Sequence, residues 1–465
     1  MRLRAVRQLL TARGARTVAS AAALVLLGGA LFNVAALSSS SPTPNPSAQA
    51  ASKRSEARKN TTKKAKAIFR KGKRFFRNAT FGDEAFWGDA LQLHRAISGA
   101  ANGGVGPGVS PKTALSVGLK VDSKRLPRAV KRAIAKGKVD LDDPATTLAL
   151  LKLRAVIGVK GHFNDKGTRL TSMGITCAFC HSTVDDSFAP GIGRRLDGWP
   201  NRDLNVGAIV SLAPNLQPIA DLLGTDVDTV KKVLAAWGPG KFDAELFLDG
   251  KGFRPDGKTA ATLLPAAYGL KGVERHTYTG WGSVTYWNAF VANLEMHGQG
   301  TFYDPRLDDA EKFPVAARHR MGHTRAKRDR ITSKLGPLHF YQLGLKAPKP
   351  PRGSFDRQDA RDGRDLFEGK ATCANCHVKP LFTEPGYNLH EPEETCTDSF
   401  QADRSPEGKY RTTPLRGLWA RSKGGYYHDG RFADLGAVVT HYDRCLGLGL
   451  TQDEKHDLVQ YLKSL

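Results

Sequence analysis

Acidic residues are scarce in this chain. Its 465 residues include 45 Asp and Glu against 70 Lys and Arg, a formal net charge of +25. Such an excess suggests a nucleic-acid partner, but its placement argues otherwise. Residues 1–16 hold five Arg, and residues 53–77 hold twelve Lys or Arg against one acid, Glu56. These two segments carry +16, which leaves about +9 on the rest of the chain. The excess belongs to tails, and no nucleic-acid partner is expected. Methionine is nearly absent, with four in all and none after Met321, so the last 144 residues offer no thioether ligand. Cysteine is limited to six residues. Long alternating strand patterns and repeats of 20–50 residues are missing. The 40% hydrophobic and 25% charged content suits a packed globule. It excludes wholesale disorder, a polytopic membrane protein and a small disulfide-stapled scaffold.

One apolar run stands out, TVASAAALVLLGGALFNVAAL at residues 17–37. It follows the Arg cluster and precedes a polar stretch, the layout of an export signal. Residues 1–50 are read as that signal, with Ala48-Gln49-Ala50 a candidate cleavage site, or as an uncleaved signal anchor. Either way the body lies outside the cytoplasm, periplasmic or exported, with anchoring to the inner membrane by residues 17–37 left open. Residues 51–78 read as a basic Ser/Pro/Lys-rich tether. It is either solvated or in contact with an anionic membrane surface, with Phe69, Phe75 and Phe76 dipping in. Residues 79–346 form an N-terminal domain, 347–352 a Pro-rich linker and 353–465 a compact C-terminal domain. Helices are expected over 83–98, over 143–157 with Asp143 as N-cap and Pro144 as first residue, and over 452–465. Thr451 and Glu454 are placed as a capping box for the last, with an apolar stripe of Leu458, Leu462 and Leu465.

Four cysteines fall in two identical patterns, Cys177-Ala178-Phe179-Cys180-His181 and Cys373-Ala374-Asn375-Cys376-His377. C-x-x-C-H is the attachment pattern of c-type heme. Two thiols three apart on a tight turn reach the two vinyl groups on one edge of the macrocycle. The adjacent His then faces the iron as proximal ligand. Redox C-x-x-C, zinc and disulfide readings compete. A zinc cluster using all four thiols leaves the adjacent His in each pair unexplained. Two covalently bound c-type hemes are expected, held by Cys177, Cys180, Cys373 and Cys376 and ligated by His181 and His377. Cys396 and Cys445 remain, either a disulfide in an oxidising compartment or two free thiols. The fold expected is mainly α, two cytochrome c-like heme domains with long loop-rich insertions and little β.

These residues carry a resemblance to the bacterial di-heme cytochrome c peroxidase and MauG-like family. GRDLFEGKATCANCH resembles the first helix and heme site of a cytochrome c fold. YRTTPLRGLWARSKGGYYHDGRFADLGAVVTHYD resembles the family's segment ending at the second heme's distal ligand, Met in the peroxidases and Tyr in MauG. The position here is Tyr442, preceded by His441, so the resemblance implies one of these two as metal ligand. His428 falls on the family's HDG histidine, near the heme. TYTGWGSVTYWNAFVANLEM resembles the stretch that carries a tryptophan between the hemes and a distal glutamate. The resemblance places Trp281 and Glu295 there as catalytic residues. It further implies calcium between the domains, hydrogen peroxide or dioxygen as oxidant, and a small electron-donor cytochrome or cupredoxin as partner. In the loop after the first heme motif, Arg194 and Arg195 are candidates for pairing with propionates.

Three functions follow. The first is a peroxidase-type enzyme, with peroxide reduced at the N-terminal heme by electrons delivered through the C-terminal one. The second, also enzymatic, oxidises a protein or organic substrate, as in MauG or the di-heme rubber oxygenases. The third is a di-heme electron carrier, in which Met296 or His297 closes the first iron.

Overall fold

The computed structural model describes residues 46–465 apart from Pro385 and Tyr387, with side chains from Arg58 onward. The run 17–37 lies outside the described residues. Among those described, no helix is long and apolar enough to cross a membrane. Asn60–Leu465 is one compact unit. Helix makes up 44% and strand 10%, so the fold is mainly α with little β. The strands form five separate two-stranded sheets.

The end of the expected tether is part of this body. It lies in the helix Pro46–Asn78, and Phe76 is fully buried with Phe81, Ile157, Met296 and Tyr341. Phe69 and Phe75 pack against the same cluster. Burying the Phe76 ring stabilises by about 2 kcal/mol, and the partly buried Phe69 and Phe75 add less.

The helix expected over 83–98 is broken in two. A π-helical turn spans Ala85–Ala90 and an α-helix Leu93–Ser98. Between them Gln92 sits in the left-handed region at φ 58°. The helix expected over 143–157 runs from Pro144 to Lys152. Asp143 caps it by accepting from Ala145 N. The helix stops before Arg154, whose φ is +53°.

The first C-x-x-C-H follows an antiparallel hairpin, Val159–Phe163 with Leu170–Ile175. Its second half forms a helical turn, Ala178–His181, and the chain leaves through Ser182–Val184, paired with Arg195–Asp197. Gly158, at φ +80°, lets the backbone pass this motif, because a Cβ there would lie 2.2 Å from Phe179 Cα.

The C-terminal part has its own core. Phe367, Phe382, Leu418, Val439, Leu458, Tyr461 and Leu462 cluster there, with Leu465 packed against them. The helix Arg357–Glu368 packs on the helix Gln452–Ser464. Thr451 and Glu454 make the reciprocal capping box. Cys396 and Cys445 form a disulfide across 49 residues of sequence. It ties the loop at Cys396 to the helix Leu435–Leu446.

Candidate functional site

Cys177, Cys180 and His181 line one cavity of about 320 Å³. Neither thiol is in a disulfide. Burial pushes both up to about 12. The His181 Nδ1 lies 3.1 Å from the Pro265 carbonyl. Donating there fixes the tautomer that leaves Nε2 for a metal. Burial lowers the ring to about 4, so it stays neutral.

The second motif repeats this. The His377 Nδ1 lies 3.2 Å from the Phe382 carbonyl, and burial again lowers the ring to about 4. Cys373 and Cys376 are outside any disulfide. Each pair of thiols thus comes with a neutral imidazole oriented by a backbone carbonyl. Arg202 also lines the cavity, with Nε and Nη1 buried and unpartnered. Such a cation suits a group carrying carboxylates, as heme does. Arg411 and Arg421 line the same cavity. The residues present therefore fit heme.

Arg194 and Arg195 do not meet the expectation of propionate partners. Arg194 is bound to Asp185 at 2.6 Å with an exposed side chain, and Arg195 faces Asp122 at 3.5 Å. Neither lines the cavity.

Glu295 lies in the cavity with Cys180. It ends a π-helical turn, Val291–Glu295, a local irregularity that often marks a functional position. Both carboxylate oxygens are buried without a hydrogen-bond partner. Burial, then the charges of Glu245 and Asp243, raise its pKa well above the ordinary value. Met296 reaches the cavity wall from the core cluster of Phe76 and Phe81. His297 stacks on Phe86 at 3.7 Å and does not line the cavity.

Trp281 is buried among Leu248, Phe290 and Phe313 and does not line the cavity. Trp287 does, with Leu381, Arg411 and Thr413 of the C-terminal part. The two indoles stack at 5.3 Å and 27°, and both Nε1 atoms are buried and unpartnered. Trp287 stands six residues after Trp281 in the same quoted stretch. It was visible in the sequence, but a motif match selects only one indole.

Tyr442 and His441 share the helix Leu435–Leu446. Burial raises the Tyr442 phenol, and the nearby Cys373 and Cys376 thiols add to the rise. His441 instead directs Nε2 to the Thr395 carbonyl at 2.9 Å, beside the disulfide at Cys396. His428 is buried with Nε2 unpartnered, stacked on Tyr410 at 5.3 Å. One group of three metal-type ligands occurs among the described residues, Cys376, Glu384 and His390. It includes a heme-attachment thiol, and Glu384 is already bonded to His390 and Thr412.

No family model matches the chain. The cytochrome-c peroxidase IdrP1 of Denitromonas iodatirespirans is 32% identical over 39% of this chain and 64% of its own length. Methylamine utilization protein MauG of Methylorubrum extorquens is 28% identical over 33% of this chain and 45% of its own. Cytochrome-c peroxidase IdrP1 of a Pseudomonas species is 26% identical over 24% and 41%. The chain thus spans less than two thirds of the length of each. The resemblance read from the motifs holds, since the curated relatives are cytochrome-c peroxidases and MauG. These relatives are oxidoreductases, and they imply c-type heme as the cofactor. Among solved structures, a MauG-like protein associated with microbial copper homeostasis matches at TM-score 0.27 and 20% identity. It covers 48% of this chain and 79% of that one. Kuenenia stuttgartiensis hydrazine synthase matches at 0.26 and 16%, over 46% and 76%.

Proposed function

We propose that this protein is an exported di-heme c-type oxidoreductase of the peroxidase type. Its N-terminal heme domain, 79–346, reduces hydrogen peroxide, and its C-terminal heme domain, 353–465, passes in electrons from a small donor cytochrome or cupredoxin. One observation carries this reading. A buried, unpartnered carboxyl, Glu295, shares a cavity with Cys177, Cys180 and His181. A buried carboxyl without partners costs several kcal/mol if ionised and is retained where it has work to do.

Heme held by His181 would supply the binding site for peroxide and the electrons that break its O–O bond. Glu295 accepts the proton from one peroxide oxygen and returns it to the other, which leaves as water. His181, oriented by Pro265, faces the site from the thiol side. Arg202, Arg411 and Arg421 counter the propionates. Trp287, backed by Trp281, lines the wall shared with the C-terminal part and serves as the electron relay. Tyr442, buried beside Tyr427 and near the Cys373 and Cys376 thiols, would help hold the second heme. His441 is occupied by Thr395.

That tyrosine also favours a second reading, oxidation of a protein or organic substrate, because a phenolate stabilises an oxidised iron. Turnover of peroxide with a reduced small cytochrome tests the first reading. Peroxide consumption that needs no such donor but modifies an added substrate favours the second.

A further inference from the structure

A second acid cluster adjoins Glu295. Asp243 and Glu245 follow the strand Lys241–Phe242, and Asp249 ends the helix Leu246–Asp249. All three are buried. Opposite them Arg404, only 1% exposed, follows the helix Phe400–Asp403. Arg404 grips Asp249 in two-point fashion, Nε to Oδ2 at 2.7 Å and Nη2 to Oδ1 at 3.0 Å. Its Nη2 lies 2.9 Å from Asp243. The remaining donors serve the Ala260 and Lys251 carbonyls.

The charges do not balance. One buried cation faces four buried carboxyls, Asp243, Asp249, Glu245 and Glu295. Asp243 and Asp249 take its guanidinium. Glu245 and Glu295 are left over, and both line the cavity, which Asp243 does not. Oε2 of Glu245 and both oxygens of Glu295 are buried without a hydrogen-bond partner, as are both oxygens of Asp243. Gln401 is the neutral side chain beside Glu245. Two uncompensated carboxyls in a dry pocket cannot both ionise. Burial, with Asp243 adding to it, raises Glu245 above the ordinary range.

We propose that Glu245 is the proton donor of this cavity and works beside Glu295, which lines the same cavity, next to the Arg404–Asp243–Asp249 cluster. This rests on the peroxidase reading. Reducing one peroxide to two waters consumes two electrons and two protons. The electrons come from the one-electron donor that the reading already requires. In the form of the pair with its single proton on Glu245, Glu295 as carboxylate moves the peroxide's own proton between its oxygens, and the O–O bond breaks to release the first water. The oxygen left behind takes two protons to become the second water, and each passes through Glu245. Glu245 is refilled from solvent. The working form of the pair therefore carries a single proton. It is lost at low pH, when both are protonated, and at high pH, when both are ionised.

The test compares peroxide turnover against pH for the holoprotein, E245Q and E295Q, with carboxyl infrared spectra of the resting holoprotein in H2O and D2O. Expected is a bell-shaped wild-type profile whose alkaline limb disappears in E245Q, with KM for peroxide unchanged. In the wild-type minus E245Q/E295Q difference spectrum at neutral pH, which cancels buried Asp83, itself raised to about 9, a protonated carboxyl band is expected, and it is displaced in E295Q. An unchanged alkaline limb in E245Q overturns the proposal and leaves the peroxidase reading standing. So does the lack of that band in the difference spectrum. A wild-type holoprotein inert to peroxide overturns both.

Discussion

Glu295 has no local reason to exist where it does. Its burial costs stability, and no side chain or backbone donor offsets that cost. E295Q keeps the shape and removes the proton transfer, so kcat/KM for peroxide is expected to fall by roughly 10²–10⁴-fold. The same residue sets a pH dependence. Its pKa is raised in the folded state, while the unfolded chain releases the proton near 4.5. The stability from keeping it neutral is fully present below that value and is lost as pH climbs toward the folded value. Urea midpoints of wild type should therefore fall as pH rises above about 4.5, and E295Q should flatten that fall. At this scale the sequence was informative wherever chemistry imposes spacing. Both C-x-x-C-H sets were readable because two thiols and a His must meet one planar group. Glu245 and Arg202 were not, because nothing near them in sequence sets them apart. Only the chain's return brings Gln401 against Glu245 and Arg404 against Asp243, and the C-terminal arginines into the cavity with Arg202.

Helix termini were the most legible elements. Asp143, Thr451 and Glu454 cap as read, because a cap depends on residues within three or four positions. The interior of 83–98 was misread, because apolar spacing carries no sign of the left-handed Gln92 or the π-helical turn before it. Close approaches were equally silent. A Cβ on Gly363 would meet the Asp457 carbonyl at 1.9 Å where the two C-terminal helices cross. Gly363→Ala is expected to force these helices apart at a cost of about 1–3 kcal/mol, measurable as a lower thermal midpoint. The disulfide came from the compartment and the even count rather than from local pattern. Replacing Cys396 and Cys445 by Ala releases a loop of 49 residues, with an expected loss near 4 kcal/mol in the chain-entropy model. Chemical denaturation with and without reductant checks this, because reductant should no longer matter in the variant.

Over the whole molecule, the sequence reads as a signal, a tether and two parts that each carry a C-x-x-C-H motif. The compact unit Asn60–Leu465 takes in both parts and the end of the tether. Charge predicted a free tether over 51–78, yet its apolar residues Phe69, Phe75 and Phe76 anchor it, since burying rings outweighs keeping lysines solvated. The cavity that joins Cys177, Glu295 and Trp287 to Arg411 and Thr413 spans residues more than 200 positions apart. No pattern in the chain announces it. The central claim is that peroxide is reduced in that cavity. The most direct measurement titrates the holoprotein, reduced by one electron, with hydrogen peroxide while following heme absorption. The account predicts rapid loss of the reduced band, and catalytic consumption of peroxide once a reduced small cytochrome is added. A reduced band that persists through excess peroxide would contradict it.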